Sequence, residues 1–441
     1  MRKHMVIIVL VVVVLVAYGI AAEHTQTDTI VKEATVSGTV TGTEGGALVA
    51  QLVFTGDDVS RRINTDILGR YEIVLPLGEY RCEITKGSEY ERKTVSIEIV
   101  DRRAKYIEPI QLKKLYDTQW IAGDLHQHSV YSFDAKDSPA DILLADLSAG
   151  LRFGAITDHN EIRANAEFMN ASLEGFIPLE GIEITTDRGH YNAIRFDRVV
   201  DSDVSHGAAD IRWILREVRE DDDAYLQINH PLRNDQFDFQ DWEMIGAFDG
   251  IEVWNGKSMP PCVEGEPNYM ALKKWFELLN EGIYLPATAG SDNHDISGNR
   301  MFAADTYKSD DERYFNMNMY SGSPRNYIFA QGNSAADVLA AIRSGHSFLT
   351  NNPLAFLDIG GMIPGNSVPA GRRDIHVLIE SNREITGYRI VKNGETLYEA
   401  DAAGLTVEET VTDDLKEGDW VILEVLGEKG DYAMTNPVFV K

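Results

Sequence analysis

Short apolar segments that run into a histidine or an acidic residue are the feature that most restricts what this chain can fold into. Five of them lie in the central region: WIAGDLH, FGAITDH, LEGIEIT, AYLQINH and YLPATAGSDNH. Helical stretches separate them, and strands that alternate with helices are typical of an α/β fold. Functional groups in such folds collect at the carboxyl ends of successive strands. We therefore expect the polar side chains of these segments to meet at one site.

The side chains at these positions are of the types that bind divalent metal ions. His126 and His128 are two residues apart, and residues at this spacing on a strand point to one face, so both imidazoles can reach one ion. Glu183 and Asp292 supply carboxylates in the same pattern. Six of the eleven histidines follow it, where chance would scatter them among loops: His126, His128, His159, His190, His230 and His294. The pattern predicts a metal centre.

Capping residues and apolar spacing predict the central helices. Ser138 followed by Pro139 is typical of a helix start, and Gly150 of a helix end. The same reasoning predicts helices over 270–281 and 334–344, each followed by glycine.

Segments that alternate apolar with polar residues flank the central region, which we place at 119–346. They predict one small β-sandwich over 34–115 and another over 347–441. In the first, Asn64-Thr65-Asp66 followed by Gly69-Arg70-Tyr71 resembles the turn into a strand of carboxypeptidase-regulatory-like modules. No cluster of titratable residues accompanies it, so we expect a stabilising or spacing role.

The first 22 residues resemble an export signal or a membrane anchor. Arg2, Lys3 and His4 precede an uncharged apolar run over residues 5–22, and Gly19 and Ala21 give the small-x-small pattern of a cleavage site. The run is at the lower edge of what spans a bilayer, so membrane anchoring through residues 5–22 stays open. Either outcome predicts an exported protein: periplasmic, extracellular or anchored on the outer side.

The charge balance restricts the partners of the chain. Its 441 residues include 41 Lys and Arg against 70 Asp and Glu, a formal net charge of −29. Such a surface repels phosphate backbones, so no nucleic-acid-binding surface is expected, although a small anionic substrate could be held on bound cations. Cys82 and Cys262 fall in different predicted domains, which argues against a disulfide framework.

The central motifs resemble, in their order along the chain, those of the PHP (polymerase and histidinol phosphatase) superfamily. The matching residues are His126-Gln127-His128, Thr157-Asp158-His159, Glu183, Asn229-His230-Pro231 and Asp292-Asn293-His294. The segment from Gly345 to Pro353 is similar to the CehA/McbA branch. The resemblance implies a distorted (β/α)7 barrel that holds two or three divalent ions, with Mn, Zn or Fe as candidates.

The resemblance also implies three overlapping sets of metal ligands. The first is His126, His128, Glu183 and Asp292; the second is Glu183, His190 and His230; the third is Asp134, His159 and His294. Many relatives have His at the position of Asp134, and a hard oxygen ligand there favours Mn, Mg or Fe over Zn.

Other roles are open for some of these residues. Asp134 fits a turn, and His190 fits a strand histidine with satisfied hydrogen bonds. His159 could cap the following helix with Asp158 as its partner. Asp124, two residues before His126, is expected to hydrogen-bond near the metal ligands instead of binding an ion.

The expected activity is hydrolysis by a metal-activated water at a centre of two or three ions, with phosphoesters as the favoured substrates. Arg233, Lys257 and Arg300 are candidate contacts for the substrate anion. The sequence contains neither a G-x-S-x-G elbow nor a P-loop, which argues against serine hydrolases and nucleoside triphosphatases. Two alternatives stay open: hydrolysis of carbamates or aryl esters, as in the CehA/McbA branch, and binding of a cell-surface polymer through the β-modules.

Overall fold

The structure is a computed structural model that describes residues 32–57, 59–171, 173–200, 211–233, 237–296 and 321–441. The fold is mostly β, because strands make up 42% of the structure and helices 16%. The described strands form five sheets.

The N-terminal part forms two four-stranded sheets, one with β1 paired to β4, β7 and β8, the other in the order β3-β2-β5-β6. Their strands are β1 (Glu33–Gly42), β2 (Gln51–Thr55), β3 (Ser60–Asn64), β4 (Arg70–Pro76), β5 (Gly78–Thr85), β6 (Lys93–Ile99), β7 (Lys105–Tyr106) and β8 (Ile110–Leu112). Alternate residues of β1 are buried, as the period-two pattern predicts. Residues of both sheets, among them Val36, Leu52 and Phe54, share one apolar cluster.

The other strands are divided among three sheets. They are β9 (Ile121–Asp124), β10 (Phe153–Ala155), β11 (Ile177–Leu179), β12 (Gly181–Thr186), β13 (Gly189–Ile194), β14 (Tyr225–Asn229), β15 (Gly250–Asn255), β16 (Ala287–Gly290), β17 (Arg325–Ile328), β18 (Ser347–Thr350), β19 (Leu354–Ile359), β20 (Ser367–Val368), β21 (Gly371–Glu380), β22 (Ile385–Lys392), β23 (Glu395–Asp401), β24 (Thr406–Leu415), β25 (Trp420–Gly427), β26 (Tyr432–Thr435) and β27 (Val438–Val440).

The largest sheet has eleven strands in the order β11-β10-β9-β17-β18-β26-β25-β22-β23, with β20 and β27 beside them. A second sheet has the order β12-β13-β14-β15-β16, and a third consists of β19, β21 and β24. Every residue of β13, β14 and β15 is buried. Trp254 of β15 packs in one apolar cluster with Trp420 and Tyr432 of the C-terminal strands, so the central and C-terminal parts share a core.

The described helices are α1 (Pro139–Ser148), α2 (Arg163–Ala171), α3 (Ile211–Arg219), α4 (Pro267–Asn280) and α5 (Ala335–Arg343), with 3-10 turns at Trp242–Ala247 and Glu428–Gly430. Ser138 caps α1 by accepting a hydrogen bond from the backbone N–H of Asp141 at 3.2 Å. Ser334 and Asp337 form a capping box at the start of α5. The three helices that the sequence predicts therefore form within one to three residues of their expected ends.

The predicted fold class, an α/β protein with a distorted (β/α)7 barrel between two separate β-sandwiches, is wrong. The central strands belong to two different sheets, and β12–β13, β13–β14 and β9–β17 pair antiparallel. Only Asp187 and Arg188 separate β12 from β13, whereas a parallel connection needs a crossover of a dozen or more residues. At the other end, β18 and β26 continue the sheet of β9 and β17 into the C-terminal part. The domain boundaries stay predictions.

Two sequence predictions fall outside the described residues: the apolar run at 5–22 and the anion contact at Arg300. Within the described ranges, the longest and most apolar helices still fall short of what a membrane crossing requires.

Candidate metal centre

The candidate metal centre lies where the eleven-stranded and five-stranded sheets bring their strand ends together. His126 and His128 follow β9, and His159 follows β10. An isolated bridge pairs His159 with Glu183 of β12, so it joins the two sheets at this point. A second bridge, between Gln127 and Asn293, fixes the segment after β16 beside the segment after β9.

Glu183 is the central carboxylate of the cluster, and its side chain is fully buried. Its Oε1 lies 3.3 Å from His126 Nε2, 3.1 Å from His190 Nδ1 and 3.4 Å from His230 Nε2. Its Oε2 lies 2.6 Å from His159 Nδ1 and 3.6 Å from His128 Nε2. One carboxylate therefore faces five imidazoles, which suits a residue that bridges metal ions.

Asp292 is the second buried carboxylate. Its Oδ1 lies 3.1 Å from His128 Nε2 and 3.6 Å from both His126 Nε2 and His294 Nδ1. The φ angles of Asp292 (49°) and His230 (27°) are positive, a conformation that non-glycine residues rarely adopt and that clusters at functional sites.

Asp134 completes the cluster from the loop between β9 and α1. Its Oδ2 lies 3.0 Å from His294 Nε2 and 3.6 Å from His159 Nε2. The Asp134 side chain is 35% exposed, so this side of the centre is the more open one. The structure thus brings together all nine residues that the resemblance implies as ligands.

The buried ligand atoms of the cluster fit the binding of metal ions. Six of them form no hydrogen bond of good geometry with the described residues: Nε2 of His126, His128 and His190, Nδ1 of His230, Oε2 of Glu183 and Oδ1 of Asp292. Glu183 Oε2, Asp292 Oδ1 and His128 Nε2 nevertheless have ion-pair contacts within the cluster. Buried polar atoms are nearly always satisfied, and leaving one unsatisfied costs about 1–3 kcal/mol. Nitrogen and carboxylate oxygen atoms that converge in this way are the donor set that divalent transition-metal ions bind.

Four groups of three residues hold their ligand atoms within 4.8 Å of one another. They are His128, His159 and His294; His126, His128 and Asp292; His126, Glu183 and His230; and His159, Glu183 and His190. The groups share His126, His128, His159 and Glu183, so they form one continuous cluster and do not divide into the three sets that the resemblance implies.

The electrostatics of the cluster reflect the close approach of acids and imidazoles. Burial lowers the pKa of His126, but the charges of Asp292, Glu252 and Glu183 outweigh it and hold the pKa well above its ordinary value. Burial and the neighbouring charge of His294 hold the pKa of His128 well below it. Burial lowers the pKa of His159, but Glu183 and Asp134 outweigh it and raise the pKa to about 10.

Neighbouring positive charges lower the pKa of both central carboxylates. Burial opposes this, but the charges of His159, His126 and His190 hold the pKa of Glu183 well below its usual range. Burial also raises the pKa of Asp292, but the charges of Lys257 and His126 outweigh it and hold that pKa well below its usual range.

Three polar residues that support the centre were given no role in the sequence prediction. Glu252 of β15 is fully buried and accepts from the backbone N–H of His230 at 2.8 Å, and its Oε1 lies 2.9 Å from His126 Nδ1. Asn229 donates to Glu183 Oε1 at 2.9 Å, and Asn255 donates to Asp292 Oδ2 at 3.1 Å. An acidic residue within the apolar strand GIEVWN was the available signal for Glu252.

Two acids near the histidines organise the backbone. Asp124 accepts from the backbone N–H groups of His126 and Ser291 at 3.1 Å and of Gly322 at 2.7 Å, in keeping with its expected hydrogen-bonding role. Asp158 accepts from the N–H and the hydroxyl of Ser129, both at 2.6 Å, so its hydrogen bonds hold the loop after His128. Burial raises the pKa of each aspartate to about 6.

Lys257 is the candidate anion contact that reaches the cluster. Its Nζ lies 3.1 Å from Asp292 Oδ1 and 3.4 Å from His294 Nε2, and its side chain is 24% exposed. Arg233 lies further out, with its guanidinium 5.9 Å from the ring centre of Phe237, which is itself 5.2 Å from the ring of His190.

An exposed aromatic ring borders the centre on the Asp134 side. The ring of Phe133 stacks on His159 with a centroid distance of 5.1 Å and an interplanar angle of 23°, yet the residue is 84% exposed. A large apolar side chain held in water beside a polar cluster is available to contact a bound molecule.

No protein-family model and no curated protein matches the chain. Among solved structures, it is similar to a two-domain protein from Bacteroides vulgatus that contains a predicted PHP-like metal-dependent phosphoesterase (17% identity, 73% of this chain and 96% of that chain, TM-score 0.42). It is also similar to a candidate metal-dependent phosphoesterase from Bifidobacterium adolescentis (16% identity, 45% of this chain and 96% of that chain, TM-score 0.32). A third similar structure is an amidohydrolase from Chromobacterium violaceum (18% identity, 39% of this chain and 87% of that chain, TM-score 0.27). These values are too low to assign a family or an activity.

Proposed function

We propose that this chain is a metal-dependent hydrolase of the PHP type that cleaves phosphoesters at a centre of two or three divalent ions. The observation that carries the proposal is the convergence of six imidazoles and three carboxylates in one cluster. Several of their buried ligand atoms form no hydrogen bond with the described residues, which suits atoms that bind an ion.

The nine clustered residues would hold the ions: His126, His128, Asp134, His159, Glu183, His190, His230, Asp292 and His294. Divalent ions there would supply positive charge for the oxygens of the substrate and would lower the pKa of a water molecule for attack. The Asp134 oxygen beside two imidazoles makes the donor set a mixed N and O set, which suits Mn or Fe as well as Zn.

Lys257 favours an anionic substrate. Its ammonium group reaches the edge of the cluster beside Asp292 and keeps a quarter of its side chain exposed, so an incoming phosphoryl oxygen can contact it. Fixed positive charge at the point where a phosphoryl group gains negative charge stabilises the transition state. Carbamates and aryl esters carry less charge and would gain less from Lys257.

A substrate panel tests the activity. The purified protein, reconstituted separately with Mn, Zn and Fe, is assayed with phosphate monoesters, phosphate diesters, carbamates and aryl esters. We expect the highest kcat/KM with a phosphoester. Preference for a carbamate or an aryl ester would contradict the proposed substrate class while leaving the hydrolase proposal intact.

A double variant tests the site. His126→Ala with His128→Ala should abolish hydrolysis while the far-UV circular dichroism stays that of the parent chain. The matched control is His376→Ala, which removes a partly exposed histidine that pairs with Glu408 on the C-terminal strands. If the double variant kept most of its turnover, the cluster would not be the active site.

We further propose that the protein works outside the cytoplasm, supported by the basic start and apolar run of residues 1–22. Fractionation of the native host together with N-terminal sequencing tests this proposal. A start near Ala22, or a full-length chain in the membrane fraction, would support it. A chain that begins at Met1 in the cytosolic fraction would contradict it.

A further inference from the structure

A polar cavity lies where the N-terminal sheets, the central region and the C-terminal strands meet, away from the metal centre. Its volume is about 40 Å³, which exceeds the space of about 10–15 Å³ that one water molecule needs. Side chains from all three parts of the chain line it, among them Gln51, Thr85, Arg92, Arg325, Asn352 and Arg383.

Two of these side chains bring buried hydrogen-bond donors that have no acceptor. Gln51 and Arg325 are each 4% exposed, and Gln51 Nε2 and Arg325 Nε make no hydrogen bond to any of the described residues. Arg325 donates from Nη1 to the carbonyl of Ala149. A buried donor without an acceptor destabilises the fold by about 1–3 kcal/mol. Two such donors at one cavity therefore favour the binding of an acceptor there.

The charges around the cavity leave an excess of positive charge. Arg92 pairs with Glu83, and Arg383 donates from Nε to Asp431 Oδ2 at 2.7 Å. Asn352 donates to the same oxygen of Asp431 at 2.7 Å, so that carboxylate is already engaged. Three guanidinium groups therefore face two paired carboxylates.

Two further acids interact with Arg325. Burial raises the pKa of Glu89 and holds that of Asp146 well above its usual range, and the charge of Arg325 lowers both. Burial lowers the pKa of Arg383, and its ion pair with Asp431 raises it. The positive charge of Arg92 also lowers the pKa of Arg383, because the guanidinium groups of Arg92 and Arg383 repel each other.

We propose that this cavity is a binding site for a small inorganic oxyanion of the size of phosphate or sulfate. Guanidinium and amide N–H groups match the oxygens of such an anion, and a single oxyanion would accept from both Gln51 Nε2 and Arg325 Nε. Because the site is built from three parts of the chain, binding would hold them together and stabilise the fold. The proposal does not depend on the hydrolase activity.

Calorimetric titration with inorganic phosphate tests the site. It is run on the full chain and on the His126→Ala/His128→Ala variant, in which phosphate binding at the metal centre is impaired. We expect saturable binding of one phosphate in the double variant. Gln51→Met, which keeps the side-chain volume and removes the donor, should weaken this binding about tenfold. Gln111→Met, on the exposed face of β8, is the matched control and should have no effect.

A second substitution guards against a folding defect. Arg325→Lys keeps the positive charge but loses the Nε donor, and it should also weaken phosphate binding. The proposal is overturned if the double variant binds no phosphate, because the anion would then belong to the metal centre. It is equally overturned if both Gln51→Met and Arg325→Lys bind phosphate as tightly as their parent, because the cavity would then hold water.

Discussion

The Nδ1 atom of His126 lies 2.9 Å from Oε1 of Glu252, and both side chains are fully buried. His126 follows a strand of the eleven-stranded sheet, while Glu252 belongs to the five-stranded sheet. Because a carboxylate accepts hydrogen bonds, this contact holds a proton of the ring on Nδ1 and directs Nε2 toward Glu183 and Asp292. Glu252 therefore orients a candidate metal ligand across the junction of two sheets.

The first prediction concerns Glu252. Glu252→Gln keeps the shape of the side chain but weakens the hydrogen bond that sets the tautomer of His126. We expect metal affinity to fall about 10- to 100-fold, the usual cost of losing such a supporting partner. Competition with a chelator measures the change. Glu243→Gln, at an exposed position of the neighbouring 3-10 turn, is the control. Equal affinities in the two variants would show that Glu252 has no orienting role.

The second prediction concerns Lys257. Lys257→Met removes the charge that we assign to substrate binding, so kcat/KM for phosphate monoesters should fall about 10- to 100-fold. Lys273→Met, on the exposed face of α4, should leave the kinetics unchanged. Steady-state kinetics on the metal-loaded variants measures both. If activity on neutral esters fell as far as activity on phosphate esters, Lys257 would act on the centre itself and not on the substrate anion.

The third prediction concerns the exposed ring beside the centre. The exposed ring of Phe133, which stacks on His159, is expected to contact the aryl leaving group of a substrate. Because Phe133→Ala removes this ring, KM for an aryl phosphate should rise roughly two- to tenfold. KM for glycerol phosphate, which offers no ring, should stay the same. Val130→Ala, an exposed apolar residue of the same loop, is the matched control. A similar rise for both substrates would argue against a contact between Phe133 and the leaving group.

The fourth prediction concerns pH and the buried contact of Lys86. Its Nζ donates to the carbonyls of Val49 and Leu147 at 3.0 Å, and burial lowers its pKa to about 8, from about 10.4 in an unfolded chain. Between these values the unfolded chain binds more protons, so the stability that Lys86 contributes rises with pH. This contribution is fully present above about pH 10.4 and is lost as the pH falls through 8.

Chemical denaturation between pH 7.5 and 10 tests this prediction. The free energy of unfolding of the parent chain should rise relative to Lys86→Met by up to about 1.4 kcal/mol per pH unit. Lys113→Met, at an exposed position, should follow the parent chain at every pH. A constant difference between the parent and Lys86→Met would mean that the pKa of Lys86 is not lowered.

The site was more predictable than the fold because local spacing determines which residues follow a strand. His126 and His128 could be assigned to one face from their two-residue spacing alone, and the structure places both within 3.6 Å of Asp292. His190 could not be placed in this way, because its position depends on the register of β13 against β12 and β14.

The barrel prediction failed because it took the order of the segments as evidence for their pairing. The two-residue connection Asp187–Arg188 forces an antiparallel hairpin that a strand-helix repeat does not contain. Glu252 was missed for a related reason: its contact with His126 spans 126 residues of sequence. Contacts between residues so far apart in the sequence depend on how the sheets pack, and no local sequence pattern specifies that packing.

Elemental analysis tests the central claim most directly. The full chain is stripped with a chelator, reconstituted with Mn, Zn or Fe, freed of unbound ions and measured for metal per polypeptide. The clustered ligands suffice for two ions even if Asp134 or His190 binds none, so we predict at least two divalent ions per chain. The His126→Ala/His128→Ala variant should bind fewer. Less than one ion per chain after reconstitution with each of the three metals would contradict the assignment of this cluster as a metal centre.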